Sequence, residues 1–133
     1  MSTKQILVID DEAAVQEVVQ SCFEELAGWT VITANSGQAG LEQALANKPD
    51  AIVLDVLMPD IDGITLLRQL KASPTTEAIP VVLLTIASAF TDPGGCAALG
   101  AVGAIAKPFD PFDLVEQVAD LLGWALEQQE DCL

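Results

Sequence analysis

The sequence predicts an α/β fold: a doubly wound, five-stranded parallel sheet with helices on both faces. Three short runs, 6–9, 51–54 and 81–84, are apolar without interruption, which is typical of strands buried on both sides. Segments with apolar residues at helical spacing alternate with these runs. Right-handed crossovers leave few strand orders, and the order 2-1-3-4-5 fits five strands of which the second is the most polar.

Each predicted strand ends at a turn or at a polar residue. The second strand has polar ends and is therefore placed at an edge of the sheet, and the fifth is built from small residues. In chain order the predicted strands are 6–9, 30–34, 51–54, 81–84 and 102–106.

Caps and helix breakers bound the predicted helices. Ser36 and Asp62 are predicted N-caps, Gly28 ends the first helix, and the third stops before Pro74. Between 86 and 99 a Pro-Gly-Gly run leaves room only for a short helix that starts late. The residues predicted to face the core are Val15, Val18, Val19, Cys22, Phe23 and Leu26; Leu41, Ala44 and Leu45; Ile64, Leu66, Leu67 and Leu70; and, in the last helix, which Asp110 caps, Leu114, Val115, Val118, Leu121, Leu122 and Ala125.

Length and charge restrict the organisation and the partners. At 133 residues and 51% hydrophobic composition, the chain is long enough to bury one substantial core. We expect one domain over 1–126 and a short acidic tail over 127–133, with no output domain after it. The net charge of −15 repels phosphate backbones and anionic membranes, so direct binding of nucleic acid is not expected.

Cysteine and histidine content excludes two further classes of protein. Three widely spaced cysteines and no histidine suggest neither a disulfide framework nor a zinc site. The N-terminus lacks the basic stretch and apolar run of an export signal, and no segment approaches the roughly 18 apolar residues of a membrane span. We therefore expect reduced thiols, no membrane insertion and a cytoplasmic location.

Polar side chains end four of the predicted strands: Asp10 with Asp11, then Asp55, Thr85 and Lys107. Ligands of doubly wound sheets bind at the carboxyl ends of the strands where the winding reverses, here between the first and third strands. The three carboxylates should therefore converge, and they would repel one another unless a cation lay among them. Oxygen-only ligands, with room left for water and a phosphoryl oxygen, describe a Mg²⁺ site better than a Ca²⁺ cage.

The remaining groups at this edge suit a phosphoryl group. The Leu57 carbonyl, just past Asp55, could complete the metal site, while Lys107 could neutralise an anion and the Thr85 hydroxyl could donate to it. Asp55 could then be a nucleophile that forms an aspartyl phosphate. Taken singly, these residues have ordinary explanations as a helix cap, a turn residue or a solvated lysine. Their coincidence at separate strand ends of one sheet favours a functional site.

In order and spacing, several blocks of this sequence resemble the receiver domain of two-component response regulators. The resemblance runs from about residue 5 to 126 and implies a single-domain, chemotaxis-regulator-like protein with the flavodoxin-like (βα)5 fold. The blocks are Leu7-Val8-Ile9-Asp10-Asp11-Glu12, residues 49–63, Pro80-Val81-Val82-Leu83-Leu84-Thr85, Gly100-Ala101 and Lys107-Pro108-Phe109.

The resemblance also implies roles for the residues at the strand ends. Asp55 would accept a phosphoryl group from a phosphohistidine on a sensor histidine kinase or phosphotransfer protein. Mg²⁺ would be held by the three carboxylates and the Leu57 carbonyl, and the phosphoryl oxygens would contact Thr85 and Lys107. The signal would be phosphorylation-dependent binding of a downstream protein to the face formed by the helix predicted within 86–99, the fifth strand and the last helix.

Three departures from the family pattern bear on how such a domain would work. Ala104, in the fifth strand, stands where an aromatic residue commonly turns inward on activation, and the chain contains no tyrosine. Ile86 stands where a small residue is usual and could narrow access to Asp55. Leu57 and Ala87 stand where polar groups often lie near the attacking water, so we expect a long-lived phosphoryl group.

Other functions remain open at this stage. Ala104 leaves open an interaction domain that keeps the fold but works without phosphorylation, although the intact acidic residues, Thr85 and Lys107 argue against it. A Mg²⁺-dependent phosphohydrolase would need a general acid, and no second acid stands two residues beyond Asp55. Nucleotide binding lacks both glycine-rich phosphate motifs. We therefore expect a signalling module, a phosphate relay or a phosphate sink, and no free-standing enzyme.

Overall fold

The computed structural model describes residues 4–55, 63–85, 101–106 and 111–124. Within these ranges five strands form one parallel sheet in the order β2-β1-β3-β4-β5, which confirms the predicted fold class and strand order. The helix predicted within 86–99, the caps Asp62 and Asp110 and the tail 127–133 lie outside the described residues. In chain order the elements are β1 (Gln5–Ile9), α1 (Ala13–Ala27), β2 (Thr30–Ala34), α2 (Gly37–Asn47), β3 (Ala51–Asp55), α3 (Gly63–Ala72), β4 (Val81–Thr85), β5 (Gly103–Ala106) and α4 (Pro111–Leu122).

Alternate residues of the central strands supply two hydrophobic cores, one on each face of the sheet. Leu7 and Leu83 belong to the core that α2 and α3 cover. Their chain neighbours Val8 and Val82 belong to the core that α1 and α4 cover. All four side chains are fully buried, which explains why these strands are apolar without alternation. No helix in the described ranges combines the length and the apolarity that crossing a bilayer requires.

Helix ends agree with the sequence more closely than helix faces do. Helix α1 ends where predicted, at Gly28, whose φ of 72° is left-handed. Helical spacing alone does not show how wide a stripe the sheet covers, so residues at the border of an apolar face are easily misassigned. Three residues predicted to face the core are instead exposed: Val18 by 44%, Leu45 by 41% and Leu121 by 38%.

Helix α2 lies very close to β1 because it presents a glycine to the sheet. Ser36 caps this helix as predicted, since its hydroxyl accepts a hydrogen bond from the Ala39 N–H at 3.1 Å. A Cβ at Gly40 would lie 2.5 Å from Cδ1 of Ile9. Because Ile9 is fully buried, Gly40 sets the distance between α2 and the strand that leads into Asp10.

Replacing this glycine with alanine, Gly40→Ala, is expected to lower the free energy of unfolding, although alanine is the better helix former. Helix propensity favours alanine by about 1 kcal/mol, whereas overpacking a core costs about 1–3 kcal/mol. Urea unfolding measures the difference, with Gln38→Ala on the exposed side of α2 as the control. An unchanged or higher midpoint for Gly40→Ala would show that Ile9 moves aside without cost.

Side chains hold the connection between α3 and β4. The hydroxyl of the fully buried Thr76 donates to the Leu70 carbonyl at 2.6 Å. The Lys71 ammonium donates to the carbonyls of Glu77 and Ile79 at 3.1 and 2.8 Å. Burial lowers the pKa of Lys71, and the Glu77 carboxylate partly offsets that shift. These contacts fix the start of β4.

Aromatic residues close the amino end of the sheet on the side of α1 and α4. The Trp29 ring centroid lies 5.2 Å from that of Phe23 and 5.0 Å from that of Trp124. The Lys4 ammonium lies 5.3 Å from the Trp124 ring centroid. Because the strands are parallel, this aromatic cluster is at the opposite end of the sheet from Asp55.

Candidate functional site

The strand register brings the predicted site residues to one edge of the sheet. Ile9 pairs with Leu54, so Asp10, which directly follows β1, is level with Asp55, the last residue of β3. Asp55 pairs with Leu84, which places Thr85 one residue further along the neighbouring strand. The winding of the sheet reverses between β1 and β3. Strand β2 lies on the far side of β1, whereas β4 and β5 lie on the far side of β3.

Three carboxylates meet at this edge. One oxygen from each of Asp10, Asp11 and Asp55 lies within 4.8 Å of the others, which is the convergence that the sequence predicted. Asp10 is 0% exposed and Asp55 is 3% exposed, whereas Asp11 is exposed. The cluster therefore opens to solvent on the side of Asp11.

The backbone and the carboxylate of Asp10 are both held by hydrogen bonds. Its N–H donates to the Ala34 carbonyl at 3.0 Å, which ties it to the end of β2. Its Oδ1 accepts from the Glu12 N–H at 2.9 Å, and its carbonyl accepts from Gln16 Nε2 at 2.7 Å. These contacts fix where the Asp10 carboxylate points.

Sequence reasoning missed Gln16. It lies three residues before Val19, on the side of α1 that faces the sheet. A polar residue inside an otherwise apolar helix face was the available signal, and the partners of its side chain were not readable from the sequence.

The cluster suits a hard divalent cation. Three oxygens that lie within 4.8 Å of one another can be reached by a single ion, and the donor set consists only of carboxylate oxygens. Buried carboxylates without a compensating charge are costly, and two of these three are buried. Donor type, spacing and burial therefore fit Mg²⁺.

The other predicted site residues are placed less completely. Thr85 ends β4, and its backbone pairs with Ala106, the residue before Lys107. Ala104 is half-buried in β5, pairs with Leu83 and packs against the core under α2 and α3. Leu57 and Lys107, like Ile86 and Ala87, lie outside the described residues.

Comparison with known proteins identifies the family. The sequence model of the response regulator receiver domain matches residues 6–119. The chain belongs to this family. The match confirms the predicted family, and the solved structures described next confirm the predicted fold class. Receiver domains of two-component response regulators are signalling modules.

Individual receiver-containing proteins resemble this receiver domain over most of its length. It is 37% identical over 119 residues, 90% of the chain, to the alkaline phosphatase synthesis transcriptional regulatory protein PhoP of Bacillus subtilis. The solved structure of chemotaxis protein CheY4 of Vibrio cholerae has a TM-score of 0.81 and 26% identity, covering 90% of this chain and 99% of that one. The receiver domain of Francisella response regulator 1452 has a TM-score of 0.80 and 28% identity, covering 91% and 98%.

The curated relatives are longer proteins. The chain spans about half of their length, 48% in the case of PhoP, so the match concerns the receiver part of each.

Proposed function

We propose that Asp55 accepts a phosphoryl group from a phosphohistidine on a sensor histidine kinase or phosphotransfer protein, in a reaction that requires Mg²⁺. The observation that carries this proposal is the convergence of Asp10, Asp11 and Asp55 within 4.8 Å at the switch point of the sheet. Membership of the receiver family supports the same chemistry.

The residues at the carboxyl edge divide into two groups under this proposal. Asp10, Asp11, Asp55 and the Leu57 carbonyl hold Mg²⁺, which when bound supplies positive charge that offsets the carboxylates and the phosphoryl oxygens. The Thr85 hydroxyl donates a hydrogen bond to one phosphoryl oxygen, and the Lys107 ammonium neutralises the charge on a second phosphoryl oxygen.

The transfer itself needs an oxygen nucleophile held in place. A carboxylate oxygen of Asp55 attacks the phosphorus, the new oxygen–phosphorus bond forms, and the phosphorus–nitrogen bond breaks as the imidazole leaves with its electron pair. Burial of Asp55 at the end of β3 restricts the motion of that oxygen, and the cluster opens to solvent at the exposed Asp11.

The phosphorylated domain signals by binding a downstream protein. The binding face comprises the helix predicted within 86–99, β5 and α4, and the phosphoryl group shifts this face between two states that bind the partner unequally. The domain acts in the cytoplasm as a signalling module without substrate turnover of its own, and its net charge of −15 keeps nucleic acid away from it.

Intact-mass measurement on the purified chain tests the proposal. Incubation with Mg²⁺ and either acetyl phosphate or phosphoramidate, whose phosphorus–nitrogen bond resembles that of phosphohistidine, should add the mass of one phosphoryl group. Chelation of Mg²⁺ should prevent the addition. A chain that stays unmodified with both donors in the presence of Mg²⁺ would contradict the proposal.

A second candidate function rests on Ala104. The side chain of this half-buried residue is a methyl group. It therefore cannot report phosphorylation by turning inward, as an aromatic side chain at this position would. An interaction domain that binds its partner equally in both states is therefore the alternative. Equal partner affinity of the phosphorylated and unphosphorylated chain would favour it.

We expect the phosphoryl group on Asp55 to be long-lived. Leu57 and Ala87 offer no polar atom on their side chains to orient a hydrolytic water. Decay of the phosphorylated chain after removal of the donor, followed by intact mass, measures the lifetime. The Leu57→Asn variant, which keeps the backbone carbonyl and adds a polar side chain, should decay faster. Loss of the group from the wild type within seconds under Mg²⁺ would refute this expectation.

A further inference from the structure

The side chain of Gln16 joins the carboxyl ends of β1 and β2 beside the acidic cluster. Its Nε2 donates to the Asp10 carbonyl at 2.7 Å and to the Ala34 carbonyl at 2.6 Å. The NH₂ group of a glutamine amide has two N–H donors, and one donor is available for each of these two carbonyls. Gln16 reaches this position from the first turn of α1, six residues after Asp10.

The Asp10 carbonyl lies just beyond the backbone register of β1 with β2. The pairing of β1 with β2 ends at Ile9 and Ala34, and the Asp10 N–H makes the last bond to the Ala34 carbonyl at 3.0 Å. Beyond that point the chain leaves the ladder to form the loop that carries Asp10 and Asp11. Just past the last backbone pair, the side-chain amide of Gln16 links the two strands by donating to one carbonyl of each.

We propose that Gln16 is a positioning residue that aims the Asp10 carboxylate for Mg²⁺, an inference that rests on the proposed function. With Gln16 in place, Asp10 is held at its N–H, its carbonyl and its Oδ1. Removal of the Gln16 amide takes away one of these three contacts, and the peptide plane between Asp10 and Asp11 is then held less firmly. Since both residues are proposed ligands, rotation of this plane misdirects two of three carboxylates at once.

A purely structural role for Gln16 predicts a different result. If the amide served only to satisfy two strand-end carbonyls, its loss would lower the free energy of unfolding but leave the folded chain with unchanged affinity for Mg²⁺. Metal affinity of the folded protein therefore separates positioning from stabilisation.

The test compares Gln16→Met, which keeps the length of the side chain and removes both donors, with Gln20→Met as the matched control. Gln20 lies one turn further along α1, where its amide donates to the Glu24 carboxylate at 3.1 Å on the exposed surface. Mg²⁺ dissociation constants are measured by calorimetry on the folded chains without any phosphoryl donor. Amide hydrogen exchange at Asp10 and Glu12 is followed in parallel, and Gln16→Ala serves if Gln16→Met does not fold.

We expect the dissociation constant for Mg²⁺ to rise by about tenfold in Gln16→Met, in line with the loss of other residues that support metal ligands, and to stay at the wild-type value in Gln20→Met. Exchange at the Asp10 and Glu12 amides should accelerate, while exchange in β3 should not. Wild-type affinity in Gln16→Met overturns the positioning role and leaves the proposed function standing. A wild-type chain that binds no Mg²⁺ overturns the proposed function, and this inference with it.

Discussion

The Asp55→Asn variant is expected to acquire no phosphoryl group under conditions that phosphorylate the wild type. An amide oxygen is a far weaker nucleophile than a carboxylate, and the substitution also removes the negative charge of one of the three carboxylates that converge within 4.8 Å. Intact mass after incubation with acetyl phosphate and Mg²⁺ measures the loss. Peptide mapping of the wild type should place the added mass on the peptide that contains Asp55.

The matched control for this substitution is Asp120→Asn, which changes an exposed aspartate of α4 away from the strand ends. This variant should be phosphorylated like the wild type. Asp55→Asn should also remain folded, because asparagine has the same shape and its neutral side chain relieves repulsion within the metal-free cluster. Phosphorylation of Asp55→Asn to the wild-type extent would assign the acceptor to another residue.

The Phe23→Ala variant is expected to lose about 3–5 kcal/mol of unfolding free energy, the usual cost of removing a phenyl ring from a core. Phe23 is fully buried, and its ring lies 5.2 Å from that of Trp29. A loss of this size is a large fraction of the roughly 5–15 kcal/mol that stabilises a typical domain. Urea unfolding followed by tryptophan fluorescence measures it, because Trp29 and Trp124, the two tryptophans of the chain, belong to the aromatic cluster.

The Val18→Ala variant provides the comparison on the same helix. Val18 is 44% exposed, so its truncation should change the unfolding free energy by less than about 0.5 kcal/mol. Mg²⁺ affinity of the folded Phe23→Ala chain should equal that of the wild type, since the aromatic cluster lies at the amino end of the sheet. Similar losses for Phe23→Ala and Val18→Ala would contradict the burial that separates these two residues.

The candidate site could be predicted from the sequence to the extent that strand ends define it. Parallel strands end at a common edge, so residues that directly follow two neighbouring buried strands must lie near each other. Asp10 and Asp55 meet that condition, and their convergence with Asp11 followed from the strand order alone. The chemistry of phosphoryl transfer remains a proposal because it depends on groups that bind to this edge.

Contacts made by side chains across the fold could not be predicted in this way. Gln16 reaches the Ala34 carbonyl, 18 residues away in the chain, and no local pattern encodes that pairing. The close approach of Gly40 to Ile9 depends on how α2 sits on the sheet. Helical spacing placed Val18 on the core face, yet α1 is rotated so that Val19 is buried and Val18 is exposed.

The sequence by itself determined the elements, their order in the sheet and the identity of the residues at the strand ends. Those properties depend on local apolar patterns, on caps such as Ser36 and on the handedness of crossovers, which are set by short-range sterics and hydrogen bonding. The tertiary structure alone decided how far each helix is rotated and how closely it approaches the sheet. These properties depend on the packing of side chains from distant segments, and through Gln16 they extend to the aim of the Asp10 carboxylate.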